Sequence, residues 1–214
     1  MLTSCNVSSL VIDRLCDQAG GQGVAVACFY FDFAARKEQS SASMLGALIK
    51  QVVSGLEEIP EEIEQAYEEH RMVIDGRGPQ LAEIVKMLET TSSRKRTFIC
   101  IDALDECMAR YRVKLLDSLN QVLRRSPGSR VFMTGRPHIQ SEVAKRLSGR
   151  VTAIRITPKR SDIMSYLQIR LDEDTTPEAM DDSLRAAILK RIPESISEMS
   201  VEATMSKKLH RVIR

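Results

Sequence analysis

The chain has 214 residues, of which 43% are hydrophobic and 28% charged, and its formal net charge is +2. These values are typical of a soluble globular protein with about one domain and a substantial core. A charge near neutrality favours neither nucleic acid nor a membrane surface as a partner. The apolar runs fall short of the roughly 20 residues of a membrane-spanning helix, and the first residues lack the pattern of a secretory signal.

The five cysteines are odd in number and widely spaced, without a Cys-x-x-Cys pair. This pattern opposes both a disulfide framework and a structural zinc site. Free thiols are typical of reducing compartments, so we expect a cytoplasmic protein.

The first part of the chain predicts a helix, a strand and two further helices. Helical spacing of Leu10, Val11, Leu15 and Cys16 predicts a helix over residues 7–19 with these side chains on one face. The apolar run at 24–33 is typical of a strand covered on both faces. Apolar side chains recur at helical spacing in 40–56, and the glutamate-rich segment 57–69 predicts a solvated helix in preference to a functional acidic patch.

The remaining elements alternate between helices and strands. Residues 81–88 predict a helix, and 90–96 form a polar, basic connection. Strands are predicted at 97–101, 130–134 and 151–156, and helices at 113–125, 141–147, 161–171 and 178–191. This order indicates an α/β fold with a parallel sheet flanked by helices. We divide the chain into an α/β core at 1–160, a helical extension at 161–192 and a polar, basic tail at 193–214.

Three carboxylates follow the apolar strand predicted at 97–101. Asp102 comes directly after the strand, and Asp105 and Glu106 follow within four positions. Mg²⁺ takes one or two carboxylates and completes its shell with water and phosphate oxygens, so Asp102 is a candidate metal ligand. Asp105 or Glu106 is a candidate for polarising a nucleophilic water. The alternative is that these acids only begin a helix after a core strand.

A second motif, Thr134-Gly135-Arg136-Pro137, ends the strand predicted next along the chain. Parallel strands present their carboxyl ends at one edge of a sheet, so this motif is expected beside the acids. An arginine offers a donor fork suited to phosphate, and Thr134 and Arg136 are therefore candidates for contacting a nucleotide. Taken alone, the motif is better explained as an Arg-Pro turn leaving a strand, and it is the two strand ends together, in this order, that favour a nucleotide site.

Three segments, at their separations, resemble the NACHT-type NTPase domain of fungal STAND proteins, also described as a nephrocystin-3-like N-terminal domain and commonly followed by ankyrin repeats. They are Phe29-Tyr30-Phe31-Asp32-Phe33, Ile101-Asp102-Ala103-Leu104-Asp105-Glu106-Cys107 and Thr134-Gly135-Arg136-Pro137. The similarity extends over about residues 2–199.

This resemblance implies a P-loop NTPase-like core in which the strand ending at Asp102 is the Walker B strand. It implies that Asp102 coordinates Mg²⁺, that Asp105 or Glu106 assists hydrolysis of ATP or GTP, and that Arg136 senses the phosphates. It further implies a signalling switch that exchanges ADP for ATP, oligomerises, and has other protein domains of a signalling assembly as partners.

The chain departs from the family pattern at the phosphate-binding loop. It contains no Gly-Lys-Thr or Gly-Lys-Ser and begins near the helix that should follow this loop, so the loop and the first strand, which in this family lies inside the sheet, are missing. We expect a truncated gene product or gene model in preference to a genuine pseudo-NTPase. Because that loop supplies most phosphate contacts, we predict weak or no nucleotide binding by this chain alone, and then no resident cofactor.

Two other functions stay open at this point. The α/β surface is also compatible with a non-catalytic protein–protein interaction module, and the three acids with a metal-dependent nuclease.

Overall fold

A computed structural model describes residues 4–19, 23–35, 37–71, 78–148, 150–156, 159–173, 181–196 and 201–206. Its elements follow in the order α1 (Ser4–Ala19), β1 (Val24–Tyr30), α2 (Ser41–Ser54), α3 (Glu61–Arg71), α4 (Leu81–Arg94), β2 (Arg96–Asp102), α5 (Ala109–Arg125), β3 (Arg130–Gly135), α6 (Gln140–Arg146), β4 (Val151–Ile156), α7 (Arg160–Asp172), α8 (Asp182–Ile196) and β5 (Val201–Ser206). Short 3-10 turns occupy Leu104–Glu106 and Pro137–Ile139.

Local sequence signals account for several helix boundaries. The Ser40 hydroxyl accepts a hydrogen bond from the Ser43 N–H at 3.1 Å and so caps the start of α2. Helix α3 begins directly after Pro60, and its first turn carries Glu61, Glu62 and Glu64, which the positive end of the helix dipole favours.

The five described strands form one sheet in the order β1-β2-β3-β5-β4. Strands β1, β2 and β3 pair in parallel, with Tyr30 opposite Asp102 and Ile101 opposite Met133. The predicted parallel α/β fold is thereby confirmed. Because these three strands run in the same direction, their carboxyl ends lie at one edge of the sheet.

Strand β5 lies between β3 and β4 and is antiparallel to both. Strand β4 therefore points in the same direction as β1–β3, and among the described strands β5 is its hydrogen-bonded neighbour. In this register Gly135 of β3 and Arg155 of β4 both lie opposite Glu202. This differs from the sequence-based division, in which 193–214 is a tail, because residues 201–206 complete the sheet.

Helices cover the two faces of the sheet unequally. The larger core lies on one face, where α2, α4 and α5 pack on the strands through residues such as Leu48, Leu88 and Leu116. The smaller core lies under α1, where Leu15 packs with Phe98, Cys100 and Phe132. Because alternate residues of β2 and β3 contribute to opposite cores, both strands are buried on both faces, as their continuous apolar runs require.

One of the two outer strands of the described sheet, β1, is shielded at its midpoint by a side chain of α2. The Cys28 N–H donates to Gln51 Oε1 at 2.9 Å, and Gln51 Nε2 donates to the Cys28 carbonyl at 2.8 Å. A side-chain amide thus supplies both hydrogen bonds that a neighbouring strand would make at this position.

Several sequence-based boundaries need correction. Residues 90–94, predicted as part of a connection, continue α4, and β2 begins at Arg96. The strand predicted at 24–33 ends at Tyr30, and the helix predicted at 57–69 begins only after Pro60. Leu10 and Cys16, predicted on the inward face of α1, are exposed, because that face instead runs through Ser8, the half-buried Val11 and Leu15. The basic residues at 207–214 lie outside the described part of the chain.

Among the described helices, none has the length and apolar character required to cross a membrane.

Candidate functional site

Asp102 lies at the carboxyl end of β2 within a buried polar cluster. Its carboxylate oxygen Oδ1 accepts hydrogen bonds from the Ser8 hydroxyl at 2.6 Å and from the Thr134 hydroxyl. All three residues are at most 3% exposed. The carboxylate thereby ties the start of α1 to the ends of two neighbouring strands, and its burial is offset by these hydrogen bonds.

The chain turns sharply directly after Asp102. Ala103 adopts a left-handed conformation with φ of 53°, which costs a residue with a Cβ roughly 1–2 kcal/mol. Hydrogen bonds hold this turn: the Ala103 N–H donates to Thr134 Oγ1 at 3.1 Å, and the Ala103 carbonyl accepts from the Glu106 N–H at 2.9 Å. Since Leu104 is anchored in the core, Asp105 and Glu106 are directed to the edge of the sheet.

Asp105 binds both the backbone N–H and the side chain of Arg136. Its Oδ1 accepts the Arg136 backbone N–H at 3.2 Å, and its Oδ2 lies 3.3 Å from the Arg136 Nε. The Asp105 side chain is only 8% exposed, whereas that of Arg136 is 61% exposed. The guanidinium of Arg136 therefore reaches solvent, while Asp105 holds the backbone at Arg136 in position.

Glu106 is half-buried, and no described residue forms a hydrogen bond or ion pair with its carboxylate. The next residue, Cys107, is buried, and burial raises the pKa of its thiol to about 12 despite the opposing effect of Arg112. This thiol is therefore protonated at neutral pH and is a poor nucleophile. Of the two acids in this turn, Asp105 is paired with Arg136, and Glu106 is the one without an ion pair among the described residues.

A small pocket lies between the end of β3 and α6. Its water-accessible volume is about 10 Å³, and Leu104, Thr134, Gly135, Arg136 and Ile139 contribute to its lining. A cavity of this size holds about one water molecule, so it cannot enclose a nucleotide.

Gly135 is required for the close packing at this pocket. A Cβ at position 135 would lie 2.8 Å from Ile139 Cδ1 and 3.5 Å from Asp105 Oδ1. We expect Gly135→Ala to lower the free energy of unfolding by about 1 kcal/mol, because the end of the Ile139 side chain must shift, whereas the distance to Asp105 is an ordinary contact. Urea denaturation measures this effect, and Gly46→Ala, where a Cβ meets no atom within 4 Å, is the control.

The donor set fits Mg²⁺ in kind but not as a shared three-acid centre. Asp102 with the Ser8 and Thr134 hydroxyls offers oxygen atoms alone, the ligand type that Mg²⁺ prefers. Among the described residues, no group of three or more His, Cys, Asp or Glu side chains converges to hold a metal. The arrangement therefore does not favour the nuclease alternative, which needs all three acids.

Four of the five predicted site residues form two contacting pairs in the structure. Asp102 contacts Thr134, and Asp105 contacts Arg136, all at the same edge of the sheet. Sequence analysis missed Ser8 and the left-handed Ala103. The spacing of Ser8 from Val11 and Leu15 is that of one helix face, and this was the available signal for Ser8.

Comparison with protein families places this site in context. The family model described as Nephrocystin 3, N-terminal, matches residues 6–136, which is more than half of the chain. The chain belongs to this family. The nephrocystin-3 N-terminal match begins within α1 and ends at Arg136, so it contains Ser8 and all five predicted site residues. The family is associated with NACHT-type NTPase domains. Comparisons with curated proteins and with solved structures found no match.

Proposed function

We propose that this chain carries the acid-bearing part of a NACHT-type nucleotide switch domain. The observation that supports the proposal is the meeting of Asp102 with Thr134, and of Asp105 with Arg136, at the carboxyl ends of adjacent parallel strands. Ligands of open α/β sheets bind at this edge. The exposed guanidinium of Arg136 is available to a phosphate group, and Asp102 is buried at the end of the neighbouring strand.

The side chains have separate roles in this proposal. Asp102, with the hydroxyls of Ser8 and Thr134, would hold Mg²⁺, and the bound ion would neutralise phosphate charge. Glu106 accepts the proton of the attacking water, since Asp105 is already engaged as the positioning group for Arg136. ATP or GTP is the ligand class, and other protein domains of a signalling assembly are the partners.

The affinity of this chain alone is expected to be low. The sequence contains no Gly-Lys-Thr or Gly-Lys-Ser, and the described pocket at the site is smaller than a nucleotide requires. Backbone N–H groups of a glycine-rich loop and its lysine normally provide most contacts to the phosphates.

Amide chemical shifts in a titration with MgATP test the proposal. We expect shifts only at millimolar ligand, localised to 102–106 and 134–136, and reduced by Arg136→Met. Arg125→Met is a matched control, because Arg125 is likewise an exposed arginine, 70% exposed, facing an acid that is 9% exposed. Shifts scattered over the surface, or equal loss in both variants, contradict the proposed site. Micromolar binding abolished by Asp102→Ala contradicts the expected low affinity.

A second candidate function, a non-catalytic interaction module, has its own support. Two of the three acids of the site are already satisfied within the protein: Asp102 by two hydroxyls and Asp105 by Arg136. This arrangement is stable without any ligand. A cooperative thermal transition that MgATP leaves unchanged, together with no localised shifts, favours this function over the nucleotide switch.

A further inference from the structure

Arg112, near the start of α5, joins the two segments that form the candidate site. Its Nε and NH2 nitrogens donate to Glu142 Oε2 at 3.0 and 2.8 Å, and NH1 donates to the Cys107 carbonyl at 2.9 Å. Cys107 directly follows Glu106, and Glu142 lies in the first turn of α6, shortly after Arg136. One guanidinium therefore holds both segments.

Burial distinguishes this ion pair from the others on the surface. The Arg112 side chain is 11% exposed and that of Glu142 is 26% exposed. A mostly buried arginine that uses three nitrogens in a fixed fork restricts its partners more than an exposed pair does. Exposed ion pairs typically contribute about 0–1 kcal/mol to the free energy of unfolding. The Asp105–Arg136 pair belongs with these, because its arginine side chain is 61% exposed.

Besides the hydrogen bonds of Thr134, two ion pairs connect the acid loop, residues 102–107, to the arginine turn, residues 135–139. Asp105 binds the Arg136 guanidinium and backbone N–H directly, and Arg112 links the Cys107 carbonyl to Glu142 of α6. The Asp105–Arg136 pair is exposed on its arginine side. The Arg112–Glu142 pair is mostly buried and joins the acid loop to the helix that follows the arginine turn.

We propose that Arg112 and Glu142 are positioning residues of this site: they set the distance between the acids at 102–106 and the Arg136 turn. Neither Arg112 nor Glu142 is among the residues proposed to bind the nucleotide, so both act through the Cys107 carbonyl and α6. The consequence for nucleotide binding rests on the proposed function, whereas the coupling of the two segments does not.

The same two helices provide a matched control. Arg146 of α6 and Asp117 of α5 form an ion pair with 2.9 Å between NH1 and Oδ2, and their side chains are 37% and 52% exposed. This pair joins α5 to α6 as Arg112–Glu142 does, but neither of its residues contacts the acid loop.

Amide hydrogen exchange measures the coupling. We expect Arg112→Met and Glu142→Gln each to accelerate exchange at 103–108 and 135–139 by about tenfold, equivalent to 1.4 kcal/mol. The double variant is expected to match the Arg112→Met variant, because Arg112→Met already removes both the Glu142 pair and the bond to the Cys107 carbonyl. The slowest amides of β2 and the Arg146→Met control are expected to exchange as in the unchanged protein. Glu142→Gln, the milder change, keeps the test valid if Arg112→Met fails to fold.

The MgATP-induced shifts and the exchange rates of the double variant distinguish the positioning role from the proposed function. Positioning predicts that the MgATP-induced shift at the Arg136 amide becomes smaller in both variants and not in the control. Acceleration no greater than in Arg146→Met, or additive effects in the double variant, overturns the positioning role. If the unchanged protein gives no MgATP shifts while the exchange effects persist, the proposed function fails and the coupling of the two segments stands.

Discussion

Replacing Asp102 with alanine is expected to lower the free energy of unfolding by about 3 kcal/mol, because two buried hydroxyls lose their acceptor. Ser8 and Thr134 both donate to the Asp102 carboxylate and are at most 1% exposed, so water cannot replace it at little cost. The two hydroxyl oxygens lie 3.3 Å apart, and their partial re-pairing keeps the loss below the sum of two orphaned groups.

The companion variant Asp102→Asn separates shape from charge. It retains one acceptor oxygen of similar position, so its stability is expected to fall less than that of Asp102→Ala. Urea denaturation compares the two variants with Asp117→Ala, whose exposed carboxylate contributes about 0–1 kcal/mol. An Asp102→Ala protein as stable as Asp117→Ala would contradict the buried cluster. If MgATP shifts survive in Asp102→Asn, the carboxylate is a structural tie and the metal role is lost.

Replacing Ala203 with proline is expected to destabilise the protein by about 3 kcal/mol or more, since proline has no N–H to donate within a sheet. Ala203 lies opposite Thr134 of β3 and Ile154 of β4, in the middle of β5. A break there also loosens β4, whose pairing in the described sheet depends on β5.

Ala203→Gly is the control, because it keeps the N–H and is expected to cost roughly 0.5–1 kcal/mol. Hydrogen exchange with urea denaturation locates the damage: amides of 151–156 are expected to lose protection before those of 96–102. Equal stability of the proline and glycine variants would show that residues 201–206 are not paired on both sides.

Much of the architecture could be predicted because its signals are local. The apolar runs within Arg96–Asp102 and Arg130–Gly135 reflect burial on both faces, whereas in Val24–Tyr30 only Ala25 and Ala27 are fully buried. Parallel strands end at one edge, so the proximity of Asp102 to Thr134 followed from chain order alone.

Other features depend on partners far along the chain. Strand β5 has period-two alternation, with Val201, Ala203 and Met205 apolar, but its position between β3 and β4 has no local signal. Its antiparallel direction likewise follows from long-range packing. For the same reason the sequence presented Ser8 as one helical serine among several, and only the Asp102 carboxylate beneath it explains its burial.

The different contacts of Asp105 and Glu106 could not be predicted from the sequence either. Both are acids one residue apart, and spacing alone left either as the group that polarises water. The 3-10 turn sends Asp105 toward the backbone and guanidinium of Arg136, while Glu106 makes no such contact with the described residues. Orientation within a single turn therefore gives the two acids different contacts, and a role for Glu106 in polarising water stays part of the proposal.

The Gln51 amide at the rim of β1 has a bearing on how copies of the molecule avoid one another. An uncovered rim is a template for recruiting further chains, the step that begins fibrillar assembly. By occupying both backbone groups of Cys28, this one side chain interrupts the template halfway along its length. Growth of the sheet past β1 is thus opposed by a helix that serves mainly to fill the interior.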